Sequence, residues 1–271
     1  MKTYLEQARE IPVIHEVDVI VAGGGPAGVG AALSSARLGL KTMLVEQAGD
    51  VGGVATTGLM SHWTGKTRGG IYEEILDASM PGDGKWRQTI DPERLKTVLL
   101  SMLSEAGVII RTYTFASEPI MEGNQVRGLI MESKSGREAV CSKVLIDCTG
   151  DGDVAAKSNV PYFTGREEDG KMQPMTLMFK VAGVKEEEID FHLPGSFESN
   201  PSVPGGGIQD LGKANLESPI GHVLLYRTAQ KGVITVNMTN SLDVDGTNAE
   251  DLAKAHIQCR LQMEPIVKFL R

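Results

Sequence analysis

Cysteine is scarce in this chain of 271 residues, and its placement removes several chemistries at once. Cys141, Cys148 and Cys259 form no C-x-x-C or C-x-x-x-x-C pair, so the sequence offers neither a disulfide framework nor a redox-active dithiol. Four thiolates at short spacing are missing, which leaves iron–sulfur ligation without a basis. His15, His62, His192, His222 and His256 stand apart from one another and from the cysteines, and no metal is expected. Asp243-Val-Asp245-Gly-Thr247-Asn invites a calcium reading, but EF-hand spacing fails and no glutamate closes the loop. Long apolar runs are lacking as well. The longest candidates are broken by glycine or charge before membrane-spanning length, and Met1–Glu10 holds no hydrophobic signal region. Basic blocks are absent too. With 27 basic against 35 acidic residues and a net charge of −8, there is no electrostatic footprint for nucleic acid or an anionic membrane. The expected setting is a reducing, cytoplasmic one, and the length favours two structural units over one.

What the sequence has in abundance is glycine, 32 residues of it, and one cluster is placed with purpose. Val19-Ile-Val-Ala-Gly23-Gly-Gly25-Pro26-Ala27-Gly28 reads as a buried strand, a glycine turn and a helix opening at Pro26. Gly23 permits the tight turn, Gly25 lets the backbone approach a pyrophosphate, and Gly28 allows the helix to pack closely on the strand. The helix N-terminus presents unpaired N–H groups and a partial positive charge to the phosphates. Ala32 supplies a small-residue packing face, Gly39 stops the helix, and Lys41 to Val45 makes a second strand ending at Glu46. A carboxylate there accepts both ribose hydroxyls of an adenosine and repels a 2′-phosphate. These residues describe a dinucleotide-binding βαβ unit.

A glycine doublet, Gly52-Gly53, follows and continues through Thr57 and Gly58. Farther on, Val144-Leu-Ile-Asp147-Cys-Thr149-Gly150-Asp151 is a second apolar run closed by a Thr-Gly-Asp turn. It follows a β-hairpin read from Val126–Met131 and Arg137–Cys141, turned at Ser133–Gly136. Strand, glycine turn, helix, acid, doublet and Thr-Gly turn together resemble the glutathione-reductase-type FAD-binding fold. The segments Gly150–Ala156, Gly165–Gly170 and Met172–Phe179 extend that similarity to the broad group of FAD-dependent oxidoreductases. The resemblance implies a Rossmann-like FAD-binding domain with a parallel sheet and a β-meander, and FAD as cofactor. It implies that Gly52, Gly53, Thr57 and Gly58 lie against the pyrophosphate and ribityl chain, with Thr149, Gly150 and Asp151 beside the phosphates. Two other readings stand beside these: GG marks turns anywhere, and Thr-Gly-Asp suits an Asx-type turn capping the next helix.

Between the two motifs, Gly70–Met80 reads as a helix broken at Pro81–Gly84. Asp91-Pro92-Glu93 opens another, with Leu95, Val98, Leu99, Met102 and Leu103 on one face and Gly107 as its stop. Val108–Tyr113 is expected to be the third parallel strand, and the resemblance implies that its far end lies near the adenine of FAD, a contact usually made through backbone. Beyond Pro161 the pattern changes to a partial α+β substrate domain, so the expected division is 1–160 and 161–271. Strands are read at Met175–Val181 and Val233–Met238, separated by a Gly/Pro/Ser-rich stretch from Leu193 to Gly221 that is too long for an ordinary connection. Thr247-x-x-Glu250 reads as a capping box for a helix from Ala249 past Cys259, with a break at Pro265.

In flavin enzymes the cofactor carries the electron chemistry and side chains orient substrate and move protons. His62, on the stretch leaving the doublet, is the expected proton-transfer residue, weighed against a loop histidine bonded to backbone. Met172, Met175 and Met178 suit a pocket lining or core filler, and Arg166 and Arg260 suit anion anchors or solvated charges. The expected function is an FAD-dependent oxidoreductase, or its N-terminal portion, acting on a small molecule. The alternative is a non-catalytic dinucleotide-binding module. Because the chain stops within a helical pattern at Phe269-Leu-Arg271, it is expected to be truncated, a fragment, or part of a split protein. A homo-oligomer or a missing C-terminal segment then stands as its partner.

Overall fold

The apolar run at Val19 belongs to a longer strand, β1 (Val13–Ala22), whose last four residues are all buried. The computed structural model describes residues 2–65, 67–80, 87–186, 208–220 and 222–271. Helix α1 (Pro26–Arg37) turns Gly28, Val29, Ala32 and Leu33 inward. The chain returns as β2 (Thr42–Val45), buried at every position, which is how a strand covered on both faces reads. Strand β3 (Ile109–Arg111) completes the expected parallel set, with Val21 opposite Leu44 and Leu44 opposite Ile110.

Three further strands, β4 (Thr114–Glu122), β5 (Gln125–Ser133) and β6 (Gly136–Asp147), finish a six-stranded sheet in the order β3-β2-β1-β6-β5-β4. The sequence reads the second arm of the hairpin and the run at Val144 as separate pieces; the structure joins them. The first half of β6 pairs antiparallel with β5 (Val140 opposite Leu129), and its stretch from Ala139 to Asp147 pairs parallel with β1, with Val144 opposite Val19. Strand β4 is not evident from sequence because Pro119 interrupts it, and it sits at the sheet edge, where proline is tolerated. Ile20, Met43, Val45, Leu129, Met131 and Val140 pack together as the core of this sheet. Fully burying a side chain of this size contributes about 1.5–3 kcal/mol.

Helices α2 (Gly70–Ser79) and α3 (Pro92–Glu105) form where expected. Asp91 Oδ1 accepts the N–H groups of Glu93 and Arg94 at 3.2 and 3.3 Å, and Leu95, Leu99 and Leu103 form the buried stripe. A short helix, α4 (Asp153–Lys157), follows β6.

The chain divides into two compact units: Met1–Gly53, Gly69–Ile75 and Lys96–Pro161 in the first, and Val54–Arg68, Leu76–Leu95 and Tyr162–Arg271 in the second. The second contains an antiparallel sheet ordered β7-β9-β8, formed by β7 (Phe179–Ala182), β8 (Leu225–Arg227) and β9 (Val233–Val236). Part of the Leu193–Gly221 stretch, expected to be irregular, is helix α5 (Ile208–Asn215); its earlier portion, with His192, lies outside the described residues. Gln209 anchors that helix by exchanging two hydrogen bonds with the Val223 backbone, at 2.7 and 3.0 Å.

Two expectations about the last helix are corrected. α6 (Ala249–Phe269) runs through Pro265 instead of breaking there. Ile266, the next residue, is completely buried with Val236 and Met238, and this packing outweighs the hydrogen bond that proline cannot make. The cap is Asn248, whose side chain accepts from Glu250 and Asp251 N–H, while Thr247 instead donates its hydroxyl to Asp245. Among the described residues, no helix is long and apolar enough to cross a membrane.

Candidate functional site

Gly23 leaves β1 at φ +95°, and its N–H donates to Val45 O at 2.8 Å. A Cβ there would lie 2.2 Å from Cys148 O, so the glycine turn and the Thr-Gly turn are in backbone contact. A Cβ on Gly28 would fall 1.8 Å from Gly23 O, closing the turn against the helix. Gly25 differs from both. It has φ −66° and ψ −174°, which any residue adopts, and nothing lies within 4 Å of its would-be Cβ. Gly25 is also the N-cap of α1, no side chain caps that end, and no acid stands in the first turn. Pro26 occupies the first helical position, where its missing N–H costs nothing. The result is an open backbone cradle at Gly25, in front of a positive helix end whose first turn carries no acid. A diphosphate fits such a cradle, and a side chain at position 25 would fill it.

Glu46 is 8% exposed and binds across the turn. Its Oε2 accepts the Gly24 N–H at 2.7 Å and its Oε1 accepts the Ala48 N–H at 2.6 Å. Each oxygen keeps a further lone pair, so the carboxylate can still accept ribose hydroxyls. The doublet joins the same cluster: Gly52 N–H donates to Gly24 O at 2.7 Å, and a Cβ on Gly53 would come within 3.0 Å of Gly25 Cα. Thus Gly23, Gly25, Pro26, Ala27, Gly28, Glu46, Gly52 and Gly53 form one neighbourhood.

The second turn is organised by a residue the sequence reading passes over. Asp147 Oδ1 accepts the Thr149 N–H at 3.0 Å and its hydroxyl at 2.7 Å, while Oδ2 accepts Val154 and Ala155 N–H at 3.0 and 2.8 Å. Burial opposes ionisation of this carboxyl, but the four hydrogen bonds outweigh it and hold its pKa below the usual carboxylate value. Thr149 Oγ1 also accepts the Asp153 N–H at 2.9 Å. An Asx-type turn that caps the next helix is present, built on Asp147, an acid two residues before Thr149 and outside the Thr-Gly-Asp segment itself. Gly150 and Asp151 are exposed beyond it. Cys148 is half-buried; burial, then the Asp147 charge, push its thiol pKa up, away from reactivity.

Thr57, Gly58 and His62 fall in the second unit. Thr57 and Gly58 are exposed, and Gly58 is held against the Val54 backbone, 2.7 Å from where its Cβ would be. His62 is half-buried, with Nδ1 2.8 Å from the hydroxyl of Ser61 and its ring 5.1 Å from that of Tyr226. Burial lowers the pKa of the imidazole and raises that of the Tyr226 phenol. A neutral imidazole offers a ring nitrogen that can accept a proton. Arg166 is engaged by Asp169 in two parallel bonds at 2.6 and 2.7 Å. No group of three metal-ligating side chains occurs among the described residues.

A family model for FAD dependent oxidoreductases matches residues 18–271. A digeranylgeranylglycerophospholipid reductase of Methanospirillum hungatei is 24% identical over 229 residues, covering 76% of this chain and 55% of that protein. A dihydrolipoyl dehydrogenase of Trypanosoma brucei brucei is 51% identical over 45 residues, covering 17% of this chain and 9% of that protein. Among solved structures, a geranylgeranyl bacteriochlorophyll reductase-like protein of Thermoplasma acidophilum shares the fold at TM-score 0.53 and 16% identity, over 89% of this chain and 60% of that one. The chain spans about half the length of the reductase it matches.

Proposed function

Because the chain belongs to the FAD dependent oxidoreductase family, we propose that it is an oxidoreductase of a small molecule whose first unit holds FAD at the Gly23–Gly28 turn. The observation that carries this reading is the open space at Gly25, in front of an uncapped helix and beside the buried Glu46. Backbone N–H groups at Ala27 and Gly28 hold the diphosphate, Glu46 takes the adenosine ribose, and Gly52, Gly53, Thr57 and Gly58 follow the chain toward the flavin. Thr149, Gly150 and Asp151 border the phosphates, with Asp147 keeping their turn in shape. FAD, when bound, supplies hydride or electron transfer. His62 holds the proton that accompanies it, with the Ser61 hydroxyl hydrogen-bonded at Nδ1.

The cofactor domain of this proposal is residues 1–160 without the two segments, Val54–Arg68 and Leu76–Leu95, that belong to the second unit, and 161–271 is part of the substrate domain. The three unpaired thiols support a cytoplasmic setting, and the net charge of −8 argues against a nucleic-acid partner. The experiment is to purify the chain, measure bound flavin by its visible absorption, and titrate apoprotein with FAD and NAD. Saturable FAD binding that is lost in Gly25→Val is expected. A folded chain that binds NAD and not FAD overturns the proposal.

A further inference from the structure

Tyr113, just past the end of β3, has φ +53°, a left-handed conformation in which an aromatic residue is uncommon. The residue is 74% exposed. The ring is nevertheless placed: a Cβ built on Gly49 would lie 2.3 Å from Tyr113 Oη and 2.5 Å from Cζ, so the phenol end lies directly over Gly49. Backbone bonds fix the residue from both sides. Tyr113 N–H donates to Ala48 O at 3.0 Å and Thr114 N–H to Glu46 O at 2.9 Å, while Ala48 N–H donates to Glu46 Oε1 at 2.6 Å. The aromatic ring therefore stands on the short loop that follows the ribose acid.

A strained backbone and a solvent-exposed aromatic both work against stability, and such residues persist where a ligand uses them. The ligand chemistry follows from ribose itself. The base is attached to the carbon adjoining the one that bears the 2′-hydroxyl, so a carboxylate holding the ribose hydroxyls leaves the base on its immediate surroundings. Resting on the FAD reading above, we propose that Tyr113 is the adenine-contacting residue of the cofactor site, with its ring as the face on which the base stacks.

The test titrates ADP and FAD into the wild-type chain and into Tyr113→Asn, Tyr113→Phe and Gly25→Val, with thermal unfolding of each apoprotein alongside. Asparagine accepts the left-handed conformation, so Tyr113→Asn will unfold no earlier than wild type. It will weaken ADP and FAD together, by about 5- to 150-fold, the range for losing one base–aromatic stack. Tyr113→Phe will bind like wild type, because the ring is kept. In the wild-type chain, ring-current shifts will move the Tyr113 aromatic NMR signals when ADP binds, a readout that needs no variant and no turnover. Unchanged ADP affinity in Tyr113→Asn, with loss in Gly25→Val, overturns the role of Tyr113 and leaves the cofactor site standing. A Phe variant as weak as the Asn variant, or Tyr113 signals unmoved by saturating ADP, overturns the stacking. Wild-type chain that is folded and binds neither nucleotide overturns both readings.

Discussion

The backbone of Gly28 passes so close to the carbonyl oxygen of Gly23 that a methyl group there would lie 1.8 Å from it. The site thus separates two kinds of glycine, one that closes the turn and one, Gly25, that leaves room. Gly28→Ala will lower folding stability by about 1–3 kcal/mol or more through overpacking against backbone that cannot yield. Gly25→Val will change it by less than about 1 kcal/mol and abolish FAD binding. Denaturant unfolding of both variants, beside an FAD titration, checks the contrast; the reverse pattern would show that the two roles are misassigned.

Glu46 carries a double duty that makes its loss distinctive. Glu46→Ala leaves the Gly24 and Ala48 N–H groups without their acceptor, at about 1.5–3 kcal/mol for a bond to a charged group, before any cofactor is considered. The variant will unfold earlier as apoprotein and also bind FAD about 10- to 150-fold more weakly. Calorimetry and FAD titration read the two effects separately. A stable apoprotein with normal affinity would mean that neither contact matters.

Asp147 predicts a limb of acid unfolding. Its folded pKa lies below the unfolded value of about 3.9, so its contribution is fully present above that pH and drains away as pH falls through the folded pKa. Asp147→Asn will flatten this part of the stability-versus-pH curve and loosen the turn and α4, because one accepting oxygen remains where the carboxylate has two serving Thr149 and the first turn of α4. Urea midpoints measured from neutral pH downward give the comparison. Parallel curves for the two proteins would count against the carboxylate as the cap of α4.

His62 will titrate below the ordinary histidine value of about 6.5, because burial disfavours its charged form. Being depressed, it adds stability at neutral pH that is lost as pH falls past the unfolded value toward the folded one. Turnover will follow the same acid limb, and His62→Gln will keep flavin bound while lowering turnover by about 10²–10⁴-fold. An NMR titration locates the midpoint, and turnover per folded molecule unaffected by His62→Gln would assign the histidine to packing.

How much of this was legible depended on whether the signal was local. The βαβ opening could be read because strand, turn, helix and acid follow one another with period and spacing intact. The cap at Asp91 and the stripe from Leu95 to Leu103 were legible for the same reason. Other features are decided by tertiary surroundings. β6 reads as two pieces because its pairing partners change along its length, and Pro265 reads as a break because the burial of Ile266 is invisible in a window of neighbours. Tyr113 was placed at the end of a strand, yet neither its left-handed backbone nor its seat over Gly49 has a local signature.

Strand β6 sets a timetable for the molecule. β1 and β6 lie side by side in the sheet, yet the residues paired there include Val19 with Val144 and Ala22 with Asp147. On a ribosome, then, β1 can hold only β2 until the whole hairpin has emerged, and contacts so distant in sequence form slowly. Gly23 meets its backbone neighbour Cys148 only after that event. The glycine turn, first in the sequence, is thereby among the last parts of the unit to reach its working shape. A nascent chain halted before Asp147 will therefore carry every residue of the opening fingerprint and still lack the wall against which it is built.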